Sequence, residues 1–342
     1  MKEIRTQDAV GSILCHDITQ IIKDVKKGVL FKKGHVITEE DIPLLLSVGK
    51  EHLYVWEKKE GILHENEGAE ILYRICAGTG MHGTEAREGK IELIADIDGL
   101  LKIRRDALVR VNSLGEMMIA SRHGDFPVKK GDKIAGTRII PLIIEQEKMD
   151  RAVETAGNEP LFSILPFKKK KAAIVTTGSE VKKGLIEDTF TPVLEEKLRE
   201  YDAQIIGRTT PGDDKAQITE DILSFIRQGA ELVICSGGMS VDPDDRTPGA
   251  ISDTGARVVT YGAPVLPGAM LMLAYYEYEG RTIPILGLPG CVMYAKRTVF
   301  DLILPRIMAD DPVAASEIAA YGEGGLCLGC GTCTFPNCGF GK

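Results

Sequence analysis

Residues 231–247 read ELVICSGGMSVDPDDRT. The apolar run Leu232-Val233-Ile234-Cys235 has the length of a buried strand rather than of a helix. Ser236, Gly237 and Gly238 interrupt it, Ser240 follows, and three carboxylates (Asp242, Asp244 and Asp245) then fall within four residues. Glycines leave backbone N–H groups open to phosphate oxygens. Carboxylates beside a phosphate repel it unless a hard cation lies between, and Mg²⁺ is ordinarily held by one or two carboxylates plus substrate phosphates. The stretch therefore reads as a buried strand ending in a metal–phosphate site. The plainer reading is a solvated helix start, where Asp244 or Asp245 favours the positive end of the next helix.

The same rhythm extends in both directions. KAAIVTTG, AQIIGRTT, ELVICSGG and RVVTYG read as short strands, while TPVLEEKLREYD, AQITEDILSFIRQG and RTPGAISDTG read as helices. MLMLAYYEYEGRTIPILGLPG reads as a hairpin turning at Glu279-Gly280, and YAKRTVFDLILPRIM as a closing helix. Strands alternating with helices over 168–310 imply a doubly wound parallel sheet, which binds ligands beyond the carboxyl ends of its strands. TTGSE (176–180), SGGMS (236–240) and GLPG (287–290) all fall at such ends, and TPGDDKAQI (210–218) sets Asp213 and Asp214 before a helix. At least one of that pair is expected as a helix N-cap. No histidine occurs in 168–310, so Ser-His-Asp and Cys-His chemistry is disfavoured there.

The first half differs. All six histidines lie within residues 1–123. Residues 1–60 read as a small α/β unit, with Thr38 and Asp41 in capping-box spacing before IPLLLSVG and a strand at HLYVW. Residues 61–150 read as mostly β. KIELIADIDGLLKI suggests a hairpin at Asp98-Gly99, and FPVKKGDKIAGTRIIPLII another at Gly131-Asp132. GTGMHG (78–83) matches G-x-G-x-x-G in form, but a helical stretch precedes it and a strand follows, the reverse of a dinucleotide site. His64-Glu65-Asn66-Glu67 is a polar cluster that reads first as a solvated loop. Arg74, Arg87 and Arg122 could bring positive charge to an anionic substrate. Residues 151–167 read as a linker or bridging helix.

A net charge of −8 over 342 residues argues against bulk nucleic-acid binding. No signal-like core or membrane-length apolar run is present, so a cytoplasmic chain with no membrane partner is expected. Of eight cysteines, four crowd residues 311–342: Cys327, Cys330, Cys333 and Cys338, in the spacing C-x2-C-x2-C-x4-C. Bacterial-type ferredoxins use C-x2-C-x2-C-x3-C-P. The tail is expected to bind metal, as an iron–sulfur cluster or a Cys₄ Zn²⁺ site.

TTGSE, GDD before a helix, SGGMSV followed by Asp245, and GLPG, in this order, resemble the molybdopterin-binding domain of molybdenum-cofactor biosynthesis proteins. That domain is shared by molybdopterin adenylyltransferases and molybdopterin molybdenumtransferases (molybdenum insertases), and the resemblance covers about 168–308. Residues 31–56 are similar to a small element that precedes this domain in the insertases. The resemblance implies a three-layer α/β/α fold, a ligand that is molybdopterin or its adenylylated form, and Mg²⁺-dependent insertion of molybdate with release of AMP. By motif position it implies Glu180, Asp214 and Asp245 as acids at metal and substrate, with Asp214 and Asp245 on the metal. Thr177, Gly178, Ser179, Gly237, Gly238, Ser240, Pro289 and Gly290 would contact phosphate or pterin. It also implies a homo-oligomer and a molybdoenzyme that receives the cofactor. The chain departs from the family pattern at Asp242-Pro243, at LPGAM (266–270) where a lysine is expected, at Gly290-Cys291-Val292 and at Asp188-Thr189-Phe190. A non-catalytic protein that binds molybdopterin and delivers or senses it is the alternative.

Overall fold

The computed structural model describes residues 2–22, 26–55 and 60–342, and the expected strand residue Trp56 lies outside them. The chain divides into two compact units, one of residues 1–96, 103–122 and 130–163, the other of 97–102, 123–129 and 164–342.

In the first unit β1 (Lys2–Arg5) pairs antiparallel with β4 (His52–Val55), and β2 (Ile18–Ile22) with β3 (Lys26–Phe31). Between them lies α1 (Asp41–Ser47), whose Leu45 is fully buried beside Leu14, Ile37 and Leu53. Asp41, the first residue of α1, accepts from the Thr38 N–H at 2.8 Å. The chain continues through β5 (Ile62–His64), α2 (Glu65–Cys76), β6 (Met81–Gly83), β7 (Lys90–Ala95), β8 (Gly99–Ile103), α3 (Arg105–Asn112), β9 (Met117–Ser121), β10 (Pro127–Val128), β11 (Lys133–Ile139), β12 (Ile143–Glu145), α4 (Gln146–Ala156) and β13 (Phe162–Pro166); of these, β10 and most of β8 and β13 belong to the second unit. One sheet runs β6-β7-β11-β9, and β12 pairs with β5. The segment expected as a linker carries the end of α4, with Ala152 and Ala156 buried, and β13.

Neither expected hairpin forms. β7 pairs with β6 and β11, whereas β8 belongs to a three-stranded sheet ordered β10-β8-β13. Gly99 is not a turn glycine: a Cβ there would fall 2.3 Å from the Leu165 carbonyl oxygen, so the residue is small because β13's backbone passes against it. Gly131 does turn, at φ +89°, but its N–H donates to Ala95 at the end of β7 rather than closing β10 onto β11.

The second unit contains β14 (Lys171–Thr176), α5 (Ser179–Lys182), α6 (Phe190–Arg199), β15 (Gln204–Thr209), α7 (Lys215–Arg227), β16 (Leu232–Ser236), α8 (Thr247–Asp253), β17 (Arg257–Tyr261), β18 (Met272–Tyr278), β19 (Arg281–Leu288), α9 (Val299–Met308) and α10 (Ala315–Ala320). The sheet order is β15-β14-β16-β19-β18-β17. β14, β15, β16 and β19 are mutually parallel, and β18 runs against both its neighbours. The expected hairpin is present: Tyr278 faces Arg281, and Glu279 and Gly280 both take positive φ, as a two-residue turn of this type requires. Alternate strand residues face opposite layers. Ile174 and Ile234 meet Leu194 and Leu198 of α6 and Phe300 of α9, while Val175, Val233 and Cys235 meet Ile218, Ile222 and Ile226 of α7 and Ile251 of α8. This is the α/β/α sandwich, with apolar rows on both faces as parallel sheets require. All ten residues of α9 are buried, so it is a core element rather than an amphipathic cover. Its Asp301 forms a buried pair with Lys197 at 2.6 Å.

Candidate functional site

Strand register brings the glycine turns together. Thr176 lies opposite Ser236, and Ser236 opposite Leu288, so β14, β16 and β19 end level. Thr177-Gly178, Gly237-Gly238 and Pro289-Gly290 therefore leave neighbouring strands side by side at the carboxyl edge, and Thr209 beside Val175 adds the end of β15. Of the four strand-end turns singled out in the sequence, all four occupy this one edge.

The glycines of the β16 turn are explained first by packing. Thr177 and Thr247 have buried hydroxyls 3.1 Å apart; Thr247 Oγ1 donates to the Gly237 carbonyl at 2.8 Å, and its N–H donates to the Gly238 carbonyl at 3.2 Å. Thr177 N–H donates to the Ser236 carbonyl at 2.8 Å. A Cβ on Gly237 (φ +84°) would fall 2.7 Å from the Thr177 carbonyl oxygen, and one on Gly238 (φ +56°) 2.9 Å from Thr247 Oγ1. Two threonines thus clamp the turn, and only glycine fits between them in this conformation.

The acids divide by role. Asp214 is the N-cap of α7, accepting from Ala216 N–H at 3.0 Å and Gln217 N–H at 3.2 Å. Its neighbour Asp213 instead crosses to the first turn and accepts from Ser179 N–H at 2.8 Å. Asp245 does not cap α8, whose N-cap is Arg246; it accepts from Asp242 N–H at 2.9 Å and closes the acidic loop on itself. Asp242 and Asp244 are exposed. Glu180 is exposed, with its carboxylate turned back over Gly178. Ser240 and Gly290 are exposed and Pro289 is buried. Pro289 and Gly290 lead into a single 3₁₀ turn over Gly290–Met293; α9 begins later, at Val299, capped by Thr298.

Side chains that the sequence reading passed over also reach this edge. Lys182 on α5 donates to the Pro211 carbonyl at 2.7 Å, tying the β14 and β15 turns and supplying a cation. Tyr261 donates to the Met239 carbonyl at 2.9 Å, and its hydroxyl pKa is raised by burial and by the nearby Asp245 charge. Asp188, where the family pattern is altered, accepts from Phe190 N–H at 2.9 Å and Thr191 N–H at 3.0 Å, starting α6. The signal for Lys182 was its place on the helix after TTGSE; Thr247 and Tyr261 carried none, because only the strand order brings them near.

Elsewhere, His64 and Glu67 form the capping box of α2, with His64 N–H donating to Glu67 at 2.8 Å. The His64 ring is 2% exposed and bonds the Cys15 carbonyl at 2.6 Å, so the cluster read as a solvated loop is a helix cap with His64 and Glu65 buried and Glu67 exposed. Arg122 pairs with Asp132 at 2.7 Å, Arg87 with Glu85 at 3.3 Å, and Arg74 lies in the last turn of α2. Cys327 and Cys338 are half-buried, Cys330 and Cys333 exposed, and all are free thiols. Among the described residues no three His, Cys, Asp or Glu side chains converge as ligands of one ion. No helix among them is long and apolar enough to cross a membrane.

A three-layer sandwich with glycine turns from adjacent parallel strands on one edge defines a ligand-binding α/β domain of the doubly wound class. Residues 173–309 match the family described as "Probable molybdopterin binding domain". Residues 3–57 match a domain described as being of unknown function. A molybdenum cofactor biosynthesis bifunctional protein of Synechococcus elongatus is 35% identical over 85 residues, 25% of this chain and 27% of that protein. A molybdopterin molybdenumtransferase of the same organism is 25% identical over 183 residues, 51% of this chain and 42% of that one. The chain thus spans under half the length of these curated relatives. The structure titled tungsten cofactor synthesizing protein MoaB from Pyrococcus furiosus aligns at 20% identity over 36% of this chain and 84% of that one, with a TM-score of 0.33.

Proposed function

We propose that the carboxyl edge of β15-β14-β16-β19 binds molybdopterin or adenylylated molybdopterin, and that the chain acts in molybdenum-cofactor biosynthesis, inserting molybdate with release of AMP. The observation that carries this reading is the level ending of β14, β16 and β19, which puts the Thr177-Gly178, Gly237-Gly238 and Pro289-Gly290 turns side by side. Backbone N–H groups of Gly178, Ser240 and Gly290 would meet phosphate and pterin, and the Thr177–Thr247 clamp holds their turn rigid before ligand arrives. Lys182 supplies positive charge where the family's lysine is replaced by LPGAM. Asp245 would offer a single hard carboxylate to Mg²⁺, and phosphate oxygens would supply most of the remaining coordination. The bound ion would neutralise phosphate charge; the chain's part is to keep Asp245 oriented, which the Asp242 N–H does.

The test is Mg²⁺- and molybdate-dependent AMP release from adenylylated molybdopterin by the full chain. Asp245→Asn should lower the rate roughly a hundredfold, the effect of removing one charge interaction of about 3 kcal/mol in the transition state. Stability and pterin occupancy should hardly change. Equal rates would reduce the acidic loop to a structural turn. Tight pterin binding with no AMP release by the wild type would favour the non-catalytic binding role. That second reading has its own support: Asp214 and Asp245 are both engaged by neighbouring backbone groups.

A further inference from the structure

We propose that Cys327, Cys330, Cys333 and Cys338 bind a [4Fe–4S] cluster within the cavity they line. All four contribute to the wall of one cavity of about 670 Å³, with Arg297, Phe335 and Phe340 among the other lining residues. The frame around it is fixed at both ends. Leu326 bridges Leu266 in parallel register, and Cys327 N–H donates to the Leu266 carbonyl at 2.8 Å. At the other end Gly341 N–H donates to the Gly324 carbonyl at 2.9 Å, and Phe340 is 4% exposed within the main core. The cysteine segment is therefore a closed loop on a rigid base.

Ligand chemistry selects the occupant. A single zinc needs four thiolates about 2.3 Å from one point. A cube of four irons and four sulfides takes its thiolates at separate corners, so ligands spread around a cavity suit it. C-x2-C-x2-C is the three-ligand run of such clusters; the next cysteine of the bacterial run serves a second cluster in two-cluster ferredoxins, whereas here the gap is widened to C-x4-C and Cys338 lines the same cavity as the other three. Glycines 329 and 331 lie between the first three cysteines, and Gly329 at φ +62° lets the loop turn between ligands. A thiolate-ligated cluster is anionic, and two cations stand in the cavity wall: Lys296, which donates to the Gly331 carbonyl at 3.2 Å, and Arg297, which lies 5.1 Å over the Phe335 ring while also paired with Asp301 at 2.8 Å. Residues 294–297 of this wall follow directly on the 3₁₀ turn from Gly290, so one short segment joins the cavity to the strand edge.

The experiment uses the full chain, prepared anaerobically and reconstituted with ferric iron, sulfide and a thiol that reduces part of the iron; no pterin is added, so the result does not depend on the proposed function. About four irons and four acid-labile sulfides per chain are expected, with a paramagnetic signal on reduction by dithionite. The double variant Cys330→Ser/Cys333→Ser alters only exposed side chains, so its circular dichroism should match the wild type while the cluster is lost. Cys76→Ala, in α2 of the other unit, should keep it. One zinc or one iron per chain without sulfide, no metal after reconstitution, or a full complement of iron and sulfide in the double variant would each overturn the proposal.

Discussion

The strand-edge turns and the C-terminal cysteine loop are both glycine-rich and both project from the same α/β unit, yet they are finished differently. At the strand edge the polar groups already have partners inside the fold. Thr247 holds the Gly237 carbonyl, Ser179 N–H holds Asp213, Ala216 N–H holds Asp214 and Asp242 N–H holds Asp245. That edge is preorganised by its own hydrogen bonds. In the cysteine loop the backbone ends are anchored, but the thiols face a cavity. Thiols are weak hydrogen-bond donors and gain little from the protein itself, so the side chains of this loop are held less firmly than its backbone ends. A motif held by its own hydrogen bonds and a motif held only at its ends should respond differently to mutation.

The largest expected effect tests whether the frame belongs to the core. Phe340→Ala should destabilise the second unit by about 3–5 kcal/mol, because it empties a fully packed aromatic site. Urea unfolding of metal-free protein measures it, and a tail lying loosely on the surface would give no change. Next, Gly237→Ala forces a Cβ against the Thr177 backbone at positive φ and should cost about 3 kcal/mol. If it is tolerated, the turn is roomier than the two-threonine clamp allows. Thr247→Val keeps shape but removes the hydroxyl that holds the Gly237 carbonyl; a loss of about 1–2 kcal/mol is expected. In iron-loaded protein the same change should leave cluster content untouched, which separates the two regions.

The smallest effect lies in the first unit and calibrates the others. Burial and the Lys33 charge hold the His64 pKa below its ordinary value of 6.5. The unfolded chain therefore takes up the proton first, so the contribution of His64 is complete above about pH 6.5 and is lost as pH falls through its lower folded value. His64→Gln should flatten the acid-side slope of stability against pH between those limits. His16, lowered by burial and by Lys50, leaves a residual slope. An unchanged slope in the variant would mean that His64 titrates as it does in the unfolded chain.

Much of the second unit was legible because its signals are local. Apolar runs of strand length, helical spacing in TPVLEEKLREYD and AQITEDILSFIRQG, and Glu279-Gly280 between two strands each report a structure made by neighbours in the chain. The first half misled where its glycines were read locally. Asp98-Gly99 has the sequence of a turn, but Gly99 is a close-approach glycine beside Leu165, 66 positions away. The choice between Asp213 and Asp214 could not be read either, since both precede α7 and only the neighbouring strand end shows which one reaches Ser179.

By itself the sequence determined the parallel α/β rhythm, the position of the glycine turns at strand ends, and the ligand-like spacing of the four cysteines. These follow from periodicity, backbone permissiveness and side-chain chemistry, which act over a few residues. Tertiary structure decided which turns share an edge, that Thr247 locks Gly237, that β8 leaves β7 for β13, and that Phe340 ties the cysteine loop into the core. Each of these depends on burying apolar surface between segments far apart in the chain, and strand order and register, which set those encounters, are not encoded in any single local stretch.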